Sequence, residues 1–150
     1  AYSLNIPLIA ISSLKTFAPT SDGTFACVID AKISGAYTIT GEHHNGATTY
    51  TSEPSICPLK DLPSLLSSVN NIICPASKRL QRELSLLSPE NTYHWEERPP
   101  SAEHMVNLAA ETFKRKGFVA ADELELHYLR KTQAELEQEK AKIDLTDNSQ

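Results

Sequence analysis

The stretch TFACVIDAKISGAYTITGEH, residues 24–43, decides how the rest of this 150-residue chain is read. "TFACVID" is an apolar, β-branched run. After the turn at "AKISG", "GAYTITGEH" resumes as its partner. Runs of this composition bounded by turn residues read as paired strands. Asn45-Gly46 follows directly, the strongest short hairpin signal, and leads into "ATTYTSE" at residues 47–53. A meander of three strands is therefore expected.

Working outward, the second half alternates. "LKDLPSLLSSV" (59–69) reads as a helix with Pro63 in its first turn, "NIICPA" (71–76) as a short strand, and "SKRLQRELSLL" (77–87) as a helix capped by Ser77. "TYHWEE" (92–97) is a further strand. "SAEHMVNLAAETFKRKG" (101–117) is the clearest helix, capped by Ser101 and ended by Gly117. In it Ala102, Met105, Ala109 and Phe113 recur at helical spacing, so this stripe is expected to face the sheet, and Phe113→Ala to cost about 3–5 kcal/mol. "LELHYLR" (124–130) alternates Leu124, Leu126 and Tyr128 against Glu125 and His127, as a half-buried strand does. Upstream, "IPLIAI" (6–11) reads as a buried strand and "SSLKTFA" (12–18) as a helix start capped by Ser12 or Ser13, before the break at "TSDG" (20–23).

From residue 24 the order is βββαβαβα, which matches the ribonuclease H-like fold, a mixed α/β sheet with flanking helices. The expected division is a remnant linking strand and helix at 1–19, a ribonuclease H-like domain at 20–131, and an exposed or disordered tail at 132–150. The opening segment resembles the interior of a fold, so a fragment or a processed chain is expected, and with it an uncovered apolar face that self-associates.

Composition narrows the function classes. At 40% hydrophobic and 22% charged residues the chain reads as an ordinary globular protein, and no apolar stretch approaches the length of a membrane span. The net charge of −5 argues against gripping nucleic acid alone, because counterion release needs a positive face. The basic clusters are Lys78, Arg79 and Arg82, and Lys114–Lys116; the latter precedes Gly117, where cations suit a helix C-terminus. Cys27, Cys57 and Cys74 are odd in number and lack a C-x-x-C, so they read as reduced core thiols in the cytoplasm.

Asp30, at the end of the first strand, occupies the place where ribonuclease H-like nucleases hold a metal. Two-metal chemistry needs several converging carboxylates. The fourth strand ends instead in "CPAS", and Asp61 is the only nearby substitute. His43 and His44 are adjacent and point to opposite faces of a strand, while His94, His104 and His127 lie on separate elements. No serine sits in a G-x-S-x-G motif, and the five glycines form no phosphate loop. Tyr93 and Trp95 read as core packing. The residues alone therefore offer no catalytic, cofactor-binding or metal-binding set.

"IPLIAISSLKTFA", "VIDAKISGAY", "PPSAEHMVNLAAETFKRKG" and "ELELHYLR" occur in the order and spacing of the TsaB (YeaZ) family, which the chain resembles from about residue 5 to about residue 131. Lys32 stands where that family's Asp-Ala-Arg segment usually has arginine, and "LELHYLR" lacks the usual proline before the tyrosine. The resemblance implies one half of a sugar kinase/Hsp70/actin-like fold, the half with the opening Asp-Thr-rich strand being absent. It implies a cytoplasmic, non-catalytic partner of the TsaD threonylcarbamoyltransferase and the TsaE ATPase. Their complex installs threonylcarbamoyladenosine next to the tRNA anticodon, and tRNA would be met only through the complex. Asp30 then becomes a structural strand end hydrogen-bonded to turn amides. The competing enzyme reading is a metal-dependent, glycoprotease-like hydrolase; a weaker one is a kinase- or actin-type ATP-binding domain. In isolation a homo-oligomer is expected.

Overall fold

The computed structural model describes residues 6–32, 35–120 and Leu124. Strand β1 (Gly23–Asp30) lies at the centre of a six-stranded mixed sheet. It pairs antiparallel with β2 (Ala36–His44) along its whole length, from Gly23 opposite His43 to Asp30 opposite Ala36. On its other side it pairs in parallel with β5 (Asn71–Cys74), and β5 pairs in parallel with β6 (Trp95–Glu97). The outer edge of β2 carries β3 (Ala47–Tyr50) and then β4 (Ser55–Cys57), both antiparallel to it.

The meander therefore forms as the sequence indicates, and the hairpin turn has the expected chemistry. Asn45 and Gly46 both take positive φ, 51° and 79°, which matches the twist of the flanking strands. The strand β4 was not anticipated. Between Tyr50 and Ser55 the edge strand carries more residues than its partner, and Pro54 falls in that bulge, where a missing N–H breaks no ladder bond. Gly35 (φ 112°) closes the β1–β2 turn. A Cβ there would lie 2.2 Å from the Cys57 carbonyl oxygen, so only glycine lets β4 approach.

Strand alternation divides the core between the two faces of the sheet. Ala26, Val28, Ile72 and Cys74 point to one face, under Leu62 and Leu66 of helix α1 (Leu62–Ser67) and Leu80 and Leu84 of helix α2 (Lys78–Leu87). Phe25, Cys27, Ile39 and Ile73 point to the other, under Leu14 and Phe17. Pro63 stands in the first turn of α1 as expected, and Tyr93 and Trp95 stack edge to face against the first core.

Two expectations fail at the edges. Residues 6–12 form no strand apart from a single antiparallel bridge between Leu8 and Val119, and "SSLKTFA" makes only a four-residue 3-10 turn, Ser13–Thr16, without a side-chain cap. The stretch is too short to continue as a helix: Phe17 is already extended as it turns into the core, and Pro19 follows. The third helix, α3 (Ala102–Lys114), is present, and Ser101 caps it by accepting the His104 N–H at 3.1 Å. Its predicted stripe, however, does not face the sheet: Met105 is 43% exposed and Phe113 57%. The half-buried residues are His104, Leu108, Ala109 and Thr112, about one residue further round the helix. Periodicity found an apolar stripe, but α3 has polar partners on its inner side that decide which stripe turns inward. The strand expected in "LELHYLR" and the tail at 132–150 lie outside the described residues.

These placements predict opposite outcomes for two phenylalanines. Phe25→Ala should cost about 3–5 kcal/mol in chemical denaturation, as for a fully buried aromatic, while Phe113→Ala in dilute solution should cost less than about 1 kcal/mol. Gly41→Ala should also destabilise, by about 1–3 kcal/mol, the usual range for overpacking. Its Cβ would lie 2.7 Å from the Phe25 ring and 2.5 Å from the Thr49 oxygen.

Candidate functional site

Ligands of open α/β sheets bind beyond the carboxyl ends of the parallel strands, here β1, β5 and β6. Asp30 ends β1. One of its oxygens accepts the Lys32 N–H at 2.7 Å and also meets the Arg79 guanidinium in an ion pair. Lys32 has a φ of 61°, so the carboxylate steadies a turn that a lysine enters at some cost in strain. This is the amide-bonded strand end expected from the sequence, with a cation added. Arg79 belongs to the cluster read from the sequence as a basic patch. In the fold its charge faces Asp30 across the first turn of α2, where a lone cation opposes the helix dipole.

Glu97 ends β6 in a related way. One carboxylate oxygen accepts the Ser77 N–H at 2.7 Å and the Ser77 hydroxyl, which holds the carboxyl below its usual range; the nearby Lys78 charge adds to this. Ser77 was expected to cap α2 with its own oxygen. It stands at the N-cap, but its hydroxyl donates to Glu97 and accepts from Gln81 Nε2 at 2.6 Å. Glu97 thus supplies the anion that the helix terminus favours.

A second cluster lies on the other face. The Tyr50 hydroxyl donates to the Lys15 carbonyl at 2.9 Å and lies 3.2 Å from His104 Nε2. Since a phenol has one proton, His104 must donate Nε2–H to the Tyr50 oxygen. The Lys15 ammonium lies 5.2 Å from the centre of the Tyr50 ring, and Phe25 meets that ring edge to face. This cluster joins the 3-10 turn, β3 and α3. Burial lowers the His104 pKa, the His43 charge lowers it further, and Glu111 opposes the shift. Sequence reading missed Tyr50 because a tyrosine in "ATTYTSE" signals only strand propensity.

A shallow cavity of about 250 Å³ opens between Ala18, Arg98, Pro99, Pro100 and Ser101. Two other histidines bond to polar neighbours: His43 Nδ1 lies 3.0 Å from the Thr48 hydroxyl and His94 Nδ1 3.0 Å from Asn71 Oδ1. Among the described residues no cluster of three or more histidine, cysteine or acidic side chains is placed to hold a metal, and no helix is long and apolar enough to cross a membrane. Cys27, Cys57 and Cys74 are free thiols buried in the core.

A six-stranded mixed sheet flanked by helices, with β1 central and β2 its antiparallel neighbour, defines the class of this mixed α/β protein. The particular architecture is YeaZ-like. The chain superposes on "an uncharacterized protein with similarity to peptidase YEAZ from Pseudomonas aeruginosa" with a TM-score of 0.66 at 19% identity, over 86% of this chain and 62% of that one. It superposes on YeaZ from Pseudomonas aeruginosa with a TM-score of 0.63 at 17% identity, over 84% of this chain and 62% of that one. This chain therefore spans about three fifths of the length of either structure. No protein-family model matches the sequence, and no curated protein matches it.

Two solution measurements test these placements. Burial pushes the Cys27 thiol up to about 12 and, with the Glu97 charge, the Cys74 thiol up to about 11. Both should react with a thiol-directed disulfide reagent at neutral pH only as fast as the protein opens, at least about a hundredfold slower than in denaturant. For His104 the folded value lies below the ordinary 6.5, so the unfolded chain binds more protons and stability falls as the pH drops through 6.5. His104→Gln should flatten that part of the stability profile.

Proposed function

We propose that this chain is the C-terminal, ribonuclease H-like half of a TsaB (YeaZ)-type protein, one half of a sugar kinase/Hsp70/actin-like fold. In this reading it is a non-catalytic assembly partner of the TsaD threonylcarbamoyltransferase in the cytoplasm. TsaE and tRNA are met through the complex, in the modification of the adenosine next to the anticodon. The observation that carries the proposal is the sheet order β3-β2-β1-β5-β6, with β2 antiparallel to β1, in a chain whose fold is shared with YeaZ over most of its length.

The chemistry of the carboxyl edge supports the non-catalytic part. Asp30 is engaged by an amide and a guanidinium, and Glu97 by the start of α2. A metal or a reacting phosphate would have to displace those partners, and a carboxylate already neutralised by arginine is a weak ligand. The proposed role needs a scaffold that holds a transferase, and an internally paired edge suits that better than an open site.

Reconstitution tests this reading. With purified TsaD, TsaE, ATP, tRNA and a preformed activated threonylcarbamoyl donor, formation of threonylcarbamoyladenosine should depend on adding this chain, and Asp30→Asn should support it equally well. Product formation that is indifferent to the chain overturns the proposal. So does metal-dependent hydrolysis of peptide or nucleotide by the chain alone that is lost in Asp30→Asn, which would favour the hydrolase.

A further inference from the structure

Past the end of β6 the chain stays extended. Arg98 precedes a proline, which holds it in the β region, and its N–H continues the ladder to the Cys74 carbonyl at 2.9 Å. Alternation therefore puts Glu96 and Arg98 on one face, about 7 Å apart along the strand, while Trp95 and Glu97 turn to the other. The partners agree with this. Trp95 packs against the core under α1 and α2, and Glu97 bonds Ser77. On the opposite face Arg98 Nη1 donates to the Ala18 carbonyl at 3.2 Å, and Glu96 Oε2 accepts the Thr20 hydroxyl at 2.8 Å. Two opposite charges thus hold the same segment, Ala18–Thr20, without being joined to each other in an ion pair. Glu96 Oε1 is buried and has no hydrogen-bond partner, the one side-chain oxygen or nitrogen so placed among the described residues. A buried acceptor of this kind calls for a donor. Arg98 uses one N–H on Ala18, and a guanidinium has five. It is also a wall of the cavity of about 250 Å³ that it shares with Ala18, Pro99, Pro100 and Ser101.

We infer that this cavity binds a free α-amino acid with a small side chain, its carboxylate on Arg98 and its ammonium on Glu96 Oε1. The pair of charges selects that ligand. A simple anion on Arg98 would stand beside the Glu96 carboxylate, and a simple cation on Glu96 beside the guanidinium, so each would meet repulsion along with attraction. An α-amino acid carries both charges on one carbon and satisfies the two side chains together. A peptide separates its end charges by at least a further residue, about 3.5 Å of chain, and fits this spacing less well. Size points the same way. The cavity has the volume of about eight water molecules at roughly 30 Å³ each, below the usual range for larger organic ligands. Its other walls, Ala18, Pro99 and Pro100, suit a short aliphatic side chain. The Ser101 hydroxyl already accepts the His104 N–H, which leaves the guanidinium fork as the donor to the ligand carboxylate. Oε1 is covered in the free protein, and a turn about the soft terminal torsion of Glu96 presents it to the ammonium. The site lies beyond the carboxyl end of β6, where open α/β sheets hold their ligands. It concerns this chain alone and holds whether or not it serves a transferase.

Titration of the full chain with L-alanine, followed in amide proton–nitrogen NMR spectra, tests the site. Saturable shifts should appear at Ala18, Arg98 and Ser101. Acetate and ethylammonium each carry one of the two charges and should bind at least about tenfold more weakly, the loss expected for one charge-assisted contact. L-Tryptophan, too large for the cavity, should not compete. Glu96→Gln keeps an acceptor for Thr20 and the shape of the side chain, and Arg98→Gln removes the fork. Each should weaken L-alanine about tenfold or more, with the rest of the spectrum showing that the variant folds. Absence of saturable shifts overturns the inference. So does acetate or ethylammonium binding as tightly as L-alanine, which would make the site one for a single charge, or L-alanine binding that survives either variant. The comparison of the three ligands uses the unaltered chain and decides the matter even where a variant fails to fold.

Discussion

The burial of β1 on both faces is the constraint from which the other elements follow. Phe25, Ala26, Cys27 and Val28 are all 0% exposed, so successive side chains, which point to opposite sides, both need cover. One side receives two helices that each deliver a pair of buried leucines. The other receives much less, a 3-10 turn with Leu14 and Phe17 and the ring of Tyr50 at its margin. Gly41 makes that thin cover workable, because its missing side chain leaves the room that the Phe25 ring fills from the neighbouring strand. Even the Cys27 thiol is used, donating to the Phe17 carbonyl at 3.6 Å and tying the turn to the strand it covers.

Much of this was legible in the sequence because the relevant signals are local. "TFACVID", Asn45-Gly46, Ser101 and the leucines of "SKRLQRELSLL" each announce their element through alternation, turn chemistry, capping or spacing. The misreadings share a different physical origin. "IPLIAI" is apolar enough for a strand, yet whether it becomes one depends on finding a neighbour with free backbone groups, and among the described residues only Val119 meets it, at Leu8. On α3 both sides carry apolar residues, so spacing alone could not say which side turns inward. The choice rests on the Tyr50 hydroxyl and the Ser101 N–H, which donates to the Thr16 carbonyl at 2.8 Å, and neither is visible as periodicity.

The carboxyl edge was half legible for the same reason. Asp30 could be placed at a strand end, and its bond to a turn amide followed from its position. Its partnership with Arg79 spans 49 residues and depends on α2 lying over β1, which is a property of the sheet order. One clue was present. Lys78 and Arg79 begin a helix, where cations are disfavoured, and such a start calls for nearby carboxylates. Asp30 and Glu97 are those carboxylates, one pairing with the arginine and the other bonding the N-cap.

The two poles of the molecule therefore stand in different electrostatic conditions. At the strand ends, opposite charges meet within the chain, and α2 is fixed over the sheet by groups that satisfy each other. On α3 the inner side is satisfied by the Tyr50 cluster, while Glu103 and Lys114 at its two ends flank an outward apolar stripe. Covering that stripe removes apolar surface from water without burying either charge, since both lie on its flank. The thin cover over Phe25 and the outward face of α3 are consequences of one arrangement. A helix held at its rim by hydrogen bonds leaves its other apolar side facing out.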